Sequence, residues 1–368
     1  MLRVPFLDVH AGYAELKDEV DAAVDRVLRS GQYILGPEVE NFEQDFAAYC
    51  DAKYAVGVGN GLDALVLALR AVDIGAGHEV IVPSNTFIAT WLAVSQCGAI
   101  PVPVDMDEQT QNIDSTCVKA AITSRTRAII PVHLFGQPCD LDPIIQIARE
   151  HKLNIIEDAA QAHGARYRGR RIGAHSDMVS WSFYPGKNLG AMGDGGAITT
   201  DDKCLYDKLK KLRNYGSSVK YQHEYQGRNS RLDAVQAAIL GVKLKWLDIW
   251  NERRKKIASM YLDALNDTDL ILPHVLAQTD PVWHLFVIRH PERDKLQKKL
   301  DESGIDTLVH YPLPPGAQAA YASSEHTRAD DSSLHMRAAM QNLSLPIGPH
   351  LDESQARRVI ESIKNALA

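Results

Sequence analysis

The chain has 368 residues, 45% hydrophobic and 24% charged, a composition that supports a sizeable core and argues against disorder. Its length favours one large domain with a smaller one. The net charge of -7 argues against a nucleic-acid partner, because phosphate backbones bind to a concentrated basic face.

The five cysteines are scattered and never form a CxxC pair, so they fit neither a disulfide framework nor a zinc site. We expect no bound metal. The N-terminal stretch MLRVPFLDVHAGY has proline and aspartate where a signal peptide needs an apolar run. No apolar stretch is long enough for a membrane span. We therefore expect a cytoplasmic protein with no membrane partner.

The first two thirds of the chain alternate short apolar runs with amphipathic stretches. The pattern predicts strands at Tyr54–Val58, Glu79–Pro83, Ile100–Val104, Arg127–Val132, Leu153–Glu157, Met178–Phe183 and Gly196–Thr200. It predicts helices at Leu62–Val72, Thr86–Cys97, Leu141–His151 and Asp202–Arg213. This alternation predicts an α/β fold with a mainly parallel sheet and helices on both faces. The Val- and Ile-rich runs are nearly continuous, as in strands buried on both sides.

The pattern changes after Arg231. A long helical pattern without proline runs from about Leu232 through Leu265. After it come a predicted strand, a helix, a second strand and a final helix, at Trp283–His290, Arg293–Ser303, Ile305–His310 and Ser354–Leu367. We predict a large domain over residues 1–245 and a smaller α+β domain over 246–368.

The segment IIEDAAQAHGA, Ile155–Ala165, places Glu157 and Asp158 at the carboxyl end of a buried strand. Open α/β sheets bind ligands at that edge. An unpaired carboxylate there is costly, which indicates a cationic partner such as a protonated pyridine nitrogen. A metal ligand or a helix N-cap explains this segment equally well on its own.

The segment SWSFYPGKNLGAMGDGGAITT, Ser180–Thr200, carries Lys187 in a turn rich in glycine and proline. A lone lysine in a turn is normally solvent-exposed. The surrounding glycines, however, permit close backbone approach to a ligand. A lysine that forms a Schiff base needs an unprotonated amine, which a partly desolvated site provides.

The segment YAVGVGNGLDALVLALRA, Tyr54–Ala71, reads as a strand, a glycine turn and a helix. The amides of Gly61, Leu62 and Asp63 open this helix and predict an anion site. GVGNG matches neither the dinucleotide fingerprint nor a Walker loop. A phosphate monoester fits best, although glycine turns between strands and helices are common.

Together these segments resemble the DegT/DnrJ/EryC1/StrS family of sugar aminotransferases, which have the aspartate aminotransferase type fold (fold type I of pyridoxal-phosphate enzymes). The resemblance covers nearly the whole chain. The motifs that carry it are FLDVHAGY, ILGPEVENFE, PSNTFIAT, EDAAQAHGA, SFYPGKNLGAMGDGGA, GRNSRLDAVQAAIL and VHYPLPP.

The resemblance implies pyridoxal 5'-phosphate as the cofactor, with pyridoxamine 5'-phosphate as its intermediate form. Lys187 would hold the cofactor as a Schiff base and shuttle the proton, and Asp158 would pair with the ring nitrogen. The cofactor-binding roles of the family would fall to Gly61, Leu62 and Ser182 at the phosphate, Gln161 at the ring hydroxyl, Phe87 on the ring face, and Asn229 at the phosphate of the neighbouring subunit. The last role implies a homodimer with active sites at the interface.

Candidate substrate contacts are His163, Tyr184, Lys220, Tyr221 and His310. Histidines such as His133 and His163 are more often structural than functional. Tyr184 is a packing residue in the alternative interpretation. Lys220 and Tyr221 lie in a polar stretch that in relatives lies near the nucleotide.

The form SFYPGKNLGA resembles the branch that aminates carbon 3 of dTDP-linked 3-oxo-6-deoxyhexoses, with L-glutamate as the amino donor. A UDP-linked 3-oxo sugar and a carbon-4 keto sugar are the alternatives. Relatives commonly have histidine and proline where this chain has Gly316 and Ala319, which affects a loop near the sugar. A dehydratase of this fold is expected to lack Lys187. A non-catalytic sensor of this fold is expected to lack Lys187 or Asp158. This chain has both residues.

Overall fold

The computed structural model describes residues 3–321 and 333–368. The strands in this part of the chain are β1 Tyr54–Val58, β2 Glu79–Pro83, β3 Ile100–Val104, β4 Thr126–Ile129, β5 Asn154–Asp158, β6 Arg166–Tyr167, β7 Arg170–Arg171, β8 Met178–Ser182, β9 Gly196–Thr200, β10 Ser217–Val219, β11 Gln222–His223, β12 Thr279–Asp280, β13 Phe286–Arg289 and β14 Asn342–Leu345.

The α-helices are α1 Val9–Glu15, α2 Lys17–Ser30, α3 Pro37–Tyr49, α4 Gly61–Ala71, α5 Ala89–Gln96, α6 Ser115–Ala120, α7 Leu141–His151, α8 Lys203–Leu212, α9 Ala234–Leu244, α10 Leu247–Leu265, α11 Arg293–Glu302, α12 Leu334–Gln341 and α13 Glu353–Leu367. Short 3-10 helices cover Leu134–Gly136, Pro315–Ala317 and Ala319–Tyr321. Among these helices, none combines the length and the apolar character that crossing a bilayer requires.

A seven-stranded sheet in the order β1-β9-β8-β5-β4-β2-β3 forms the centre of the fold. Strands β3, β2, β4, β5 and β8 pair in parallel, whereas β9 is antiparallel to both β1 and β8. The predicted mainly parallel α/β sheet is confirmed. Because parallel strands end at the same edge, the residues that follow β2, β5 and β8 meet there.

Both faces of this sheet are covered by hydrophobic clusters. One cluster packs α3, α7 and α9 against the sheet through residues such as Phe46 and Trp181. The other packs α4 and α5 against the opposite face through residues such as Leu67 and Trp91. The strands are apolar almost throughout because neither face reaches water, as β2, buried at every position, shows.

A third hydrophobic cluster joins Val4 to residues between Ile257 and Ile363. It packs the second half of α10 against α11, α13 and the antiparallel pair of β13 and β14. This separate core is what a smaller C-terminal α+β domain would have. The boundary between residues 245 and 246 stays a prediction.

The long helix predicted from Leu232 through Leu265 is wrong, since α9 ends at Leu244 and α10 begins at Leu247. At the junction the amide of Trp246 donates to the carbonyl oxygen of Lys243 at 3.0 Å, a tighter turn than the α-helix. Trp246 packs there against the cluster of Leu16, Val20, Ile239 and Trp250. Tertiary packing therefore interrupts a helical pattern that contains no proline.

The strand predicted at Ile305–His310 is also wrong. Its residues form only isolated bridges, between Ile305 and Val4 and between Leu308 and Ser344. Because the two bridges use different partner segments, no continuous ladder forms.

Candidate active site

Asp158, the last residue of β5, has a carboxylate that is 7% exposed. Its Oδ1 accepts the amide of Ala160 at 3.2 Å, and its Oδ2 accepts the hydroxyl of Thr90 at 2.9 Å. Burial raises the pKa of Asp158, while these hydrogen bonds and the charge of Lys187 oppose the rise. The site therefore contains a buried carboxylate that a further cation would stabilise.

Lys187 lies in a tight turn that follows β8. Its amide donates to the carbonyl oxygen of Tyr184 at 2.8 Å. Gly190 closes this turn, because a Cβ there would lie 2.3 Å from the carbonyl oxygen of Pro185. Burial lowers the pKa of the Lys187 amine to about 8, and the charge of Asp158 opposes this shift. A substantial fraction of the amine is therefore neutral near physiological pH, as a nucleophile must be.

Three histidines are close enough to Lys187 for its charge to lower their pKa values. Burial and then the charge of Lys187 lower the pKa of His163 to about 3 and that of His310 to about 4. The same two causes hold the pKa of His284 well below its ordinary value. His284 is oriented by a 3.1 Å hydrogen bond between its Nδ1 and the Oδ1 of Asn188. All three rings are neutral at physiological pH, so they add no positive charge near Lys187.

The predicted anion site forms where β8 meets the start of α4. Asn60 caps α4, its Oδ1 accepting the amide of Asp63 at 2.8 Å. The first-turn amides of Gly61 and Leu62 have no acceptor within the helix. A Cβ on Gly61 would lie 2.6 Å from Cβ of Ser182, so only glycine permits this approach. The two amides and the Ser182 hydroxyl together form a cradle for a phosphate.

Gln161, Tyr311 and Phe87 form a connected set of contacts. Gln161 Oε1 accepts the amide of Phe135 at 2.7 Å, so its Nε2 faces the hydroxyl of Tyr311, 3.1 Å away. Phe87 is 53% exposed, and its ring centroid lies 5.5 Å from that of Tyr311. Burial raises the pKa of Tyr311, so its hydroxyl stays neutral and accepts the hydrogen bond from Gln161.

These groups fit pyridoxal phosphate. Asp158 offers a buried negative charge for a protonated ring nitrogen, and Lys187 offers a partly neutral amine for the aldehyde. The α4 cradle, where glycine is sterically required, offers donors for the phosphate. Within residues 3–321 and 333–368, no cluster of three or more His, Cys, Asp or Glu side chains is arranged to hold a metal ion.

The predicted substrate contacts Tyr184, His163 and His310 differ in how exposed they are. Tyr184 is 61% exposed, beside the Lys187 turn. His163 has no exposed surface and packs between Trp181 and Phe183, with ring centroids 5.3 and 5.8 Å away. His310 Nδ1 lies 2.8 Å from the Ser344 hydroxyl. Their substrate roles stay predictions.

Lys220 and Tyr221 lie on the β10–β11 hairpin. Tyr221 is 83% exposed, and the Lys220 amine lies 5.1 Å from its ring centroid. Asn229 is exposed and pairs through its backbone with Asn214. In the described chain none of the three makes a hydrogen bond to a residue around Lys187. Gly316 is buried in one 3-10 helix, and the exposed Ala319 begins the next.

Sequence reasoning did not identify Thr90, His284 or Tyr311. Thr90 carried one usable signal, its position four residues after Thr86 in TFIAT, which places both hydroxyls on one side of a helical turn. Tyr311 stood beside the predicted His310. His284 had no signal, because its approach to Lys187 depends on how the C-terminal segments pack.

The family model for the DegT/DnrJ/EryC1/StrS aminotransferase family matches residues 14–364. The chain belongs to this aminotransferase family. It is 56% identical over 365 residues to dTDP-3-amino-3,4,6-trideoxy-alpha-D-glucose transaminase of Streptomyces venezuelae, covering 98% of this chain and 96% of that relative. It is 50% identical over 360 residues to dTDP-3-amino-3,6-dideoxy-alpha-D-galactopyranose transaminase of Aneurinibacillus thermoaerophilus, covering 98% of each.

Solved structures of this aminotransferase family have the same fold. The crystal structure of S. venezuelae DesV in complex with a ketimine intermediate superposes with a TM-score of 0.97 at 55% identity, covering 99% of this chain and 98% of that chain. The structure of NtdA from Bacillus subtilis with bound cofactor PMP gives a TM-score of 0.93 at 32% identity, covering 100% of this chain and 86% of that one.

Proposed function

We propose that this aminotransferase moves an amino group from L-glutamate to the carbon-3 keto group of a dTDP-linked 3-oxo-6-deoxyhexose, with pyridoxal phosphate as cofactor. The observation that carries the proposal is the placement of the buried Asp158 and the partly buried Lys187 at the sheet edge. Each group shifts the pKa of the other, so the two charges are close enough to act on one ligand.

When bound, pyridoxal phosphate supplies an electron sink for the carbanion that forms when the carbon-bound proton leaves. Asp158 would keep the ring nitrogen protonated, and Thr90 and the Ala160 amide hold that carboxylate in place. Lys187 moves the proton, a role that suits an amine with a pKa of about 8 because it can both accept and donate near neutral pH.

The other proposed cofactor contacts orient the ring. Gln161 Nε2 would donate to the ring hydroxyl, and Phe87 would cover one ring face from the exposed side. Gly61, Leu62 and Ser182 would hold the phosphate, so that the aldehyde meets Lys187. Holding the reacting carbon within reach of Lys187 contributes to rate because it converts an encounter into a unimolecular step.

The choice of sugar rests on the resemblance in SFYPGKNLGA and on the names of the two relatives, both dTDP-3-amino sugar transaminases. The exposed Tyr184 beside Lys187 and the His310 ring would contact the sugar. His163 is a further candidate substrate contact, although its side chain has no exposed surface. UDP-linked 3-oxo sugars and carbon-4 keto sugars are the competing substrates.

We also propose a homodimer with an active site at each interface. Asn229, Lys220 and Tyr221 are exposed and lie outside the Lys187 cluster of their own chain. By the family resemblance, Asn229 would reach the phosphate in the site of the neighbouring subunit, and Lys220 and Tyr221 would contact the sugar diphosphate.

The test is a titration of the cofactor-loaded protein, followed by visible absorption, with a dTDP-3-amino-3,6-dideoxyhexose. The lysine-bound cofactor band should disappear as the cofactor becomes pyridoxamine phosphate. UDP-3-amino and dTDP-4-amino sugars serve as comparators and should leave the band unchanged. If only a comparator changes the band, the proposed sugar substrate is wrong. If the cofactor-loaded protein shows no lysine-bound band, the proposed aminotransferase reaction is wrong.

A further inference from the structure

A cavity of about 40 Å³ lies beside the Lys187 turn, between the N-terminal segment and helices α9 and α10. Three cationic side chains contribute to its lining, together with groups that the proposed reaction does not use. The residues that matter here are Lys187, Lys243, Arg254, Asp8, Trp250 and His350.

Two of these cations are buried without a counter-ion. Arg254 is 3% exposed and Lys243 is 5% exposed. In the part of the chain that the structure describes, neither forms an ion pair with a carboxylate. A buried positive charge is costly unless an anion neutralises it. Burial accordingly lowers the pKa of Arg254 to about 10 and that of Lys243 to about 8.

The free donors of Arg254 are the ones that recognise a carboxylate. Its Nη1 donates to the carbonyl oxygens of Trp283, His284 and Ile347 at 3.2, 3.3 and 3.3 Å. Its Nε and Nη2 donate to none of the described residues. These two nitrogens form the side-on fork that binds both oxygens of a carboxylate or two oxygens of a phosphate.

Lys243 adds a second donor group. Its ammonium donates one hydrogen bond, to the carbonyl oxygen of Gly190 at 2.7 Å, and an ammonium has three protons to donate. Because Gly190 closes the turn that carries Lys187, this contact links the cavity to the reacting lysine. The charge of Arg254, like that of Lys187, lowers the pKa of His284, so both cations act on the same ring.

Among the described residues, the carboxylates near the cavity do not pair with Arg254 or Lys243. Asp8 is exposed and caps α1, accepting the amide of Ala11 at 3.0 Å. His350 Nε2 lies 2.7 Å from Glu15, which also pairs with Arg253 at 2.8 Å. The buried charges of Arg254 and Lys243 are thus left for a ligand.

We propose that this cavity is an anion subsite for a carboxylate of the amino-acid donor, held by Arg254 and Lys243. This inference rests on the proposed function, because it needs a donor that reacts at Lys187. In a dicarboxylic amino acid the side-chain carboxylate is only a few bonds from the reacting carbon, which matches a subsite lined by Lys187 itself. Two buried cations would select such a donor over a neutral amino acid.

The test is isothermal titration calorimetry of the cofactor-loaded protein with glutarate, a dicarboxylate that cannot donate an amine. Lys243→Met and Arg254→Lys should each weaken glutarate binding about tenfold or more, the effect of losing a charge-assisted hydrogen bond. Arg254→Lys keeps the charge and removes the fork. Lys298→Met, at an exposed position elsewhere, is the matched control and should bind glutarate as the wild type does.

The lysine-bound cofactor band must be unchanged in each variant, which separates a lost subsite from a misfolded protein. Equal glutarate affinity in all four proteins, or no binding to the wild type, would overturn the proposal and leave both residues with a structural role. A parallel titration with inorganic pyrophosphate distinguishes the other source of anion. If Lys243→Met and Arg254→Lys lose pyrophosphate binding but keep glutarate binding, the assignment to the amino donor is overturned and the subsite belongs to the sugar diphosphate.

These outcomes are independent of the proposed sugar reaction. If Lys243→Met loses glutarate affinity but its absorption band still responds to a dTDP-3-amino sugar, both proposals are supported. If glutarate binds as proposed and no amino sugar changes the band, the proposed function fails alone.

Discussion

A hydrogen-bond relay through Thr90 of helix α5 reaches the carboxylate of Asp158. The hydroxyl of Thr90 donates to Asp158 Oδ2 at 2.9 Å. A hydroxyl has a single proton, so the 2.9 Å contact between the Thr86 and Thr90 hydroxyls must be donated by Thr86. The relay therefore runs from Thr86 through Thr90 to Asp158, and all three side chains are buried.

Replacing Thr90 by Val preserves the shape of the side chain and removes the donor. Burial already raises the pKa of Asp158, and the Thr90 hydrogen bond is one of the interactions that oppose this. A hydrogen bond to a charged group contributes about 1.5–3 kcal/mol. If the reaction needs the ionised carboxylate, kcat should fall roughly ten- to a hundredfold. KM for L-glutamate should change little, because Thr90 contacts Asp158 and not the donor.

The assay is steady-state amino transfer from L-glutamate, with Thr90→Ser and Thr86→Val measured beside Thr90→Val. Serine keeps the hydroxyl and should recover most of the rate. Thr86→Val removes only the outer link and should have a smaller effect in the same direction. A Thr90→Val enzyme with kcat within about twofold of the wild type would refute the reasoning, since that change is far below the estimate. A Thr90→Ser enzyme as impaired as Thr90→Val would do so as well.

Three further predictions concern the lysine and the phosphate cradle. Lys187→Ala should abolish turnover while pyridoxal phosphate still binds non-covalently, as equilibrium dialysis would show; normal turnover would refute the role of Lys187. Because burial lowers the pKa of Lys187 to about 8, the amine is protonated below that pH and neutral above it, so the rate of cofactor capture by the apoprotein should rise with pH around 8. Asp158→Asn should move that midpoint lower in stopped-flow absorption, since the carboxylate raises the pKa of Lys187, and a midpoint that moves higher would contradict this. Gly61→Ala should weaken cofactor affinity about tenfold or more, because its Cβ would lie 2.6 Å from Cβ of Ser182; unchanged affinity would mean that the cradle does not hold the phosphate.

Much of the fold could be predicted because the signals were local. Strands at Tyr54–Val58, Glu79–Pro83 and Gly196–Thr200 have the bounds that the apolar runs predicted, since a strand buried on both faces is apolar throughout. Helix Leu141–His151 also matches, because its periodicity is uninterrupted. The two wrong elements failed where a partner distant in sequence decided the backbone, at Trp246 and at Ile305–His310.

The sequence by itself predicted the roles of Lys187 and Asp158. Asp158 ends strand β5 and Lys187 lies in the turn after β8, both in motifs whose residue order carries the family resemblance. The edge of a parallel sheet brings such segments together. Only the tertiary structure decided which groups surround them. Thr90 reaches Asp158, Tyr311 reaches Gln161 and Arg254 approaches Lys187 because elements far apart in the chain pack side by side. Such contacts depend on strand order and helix docking, which no local pattern of residues encodes.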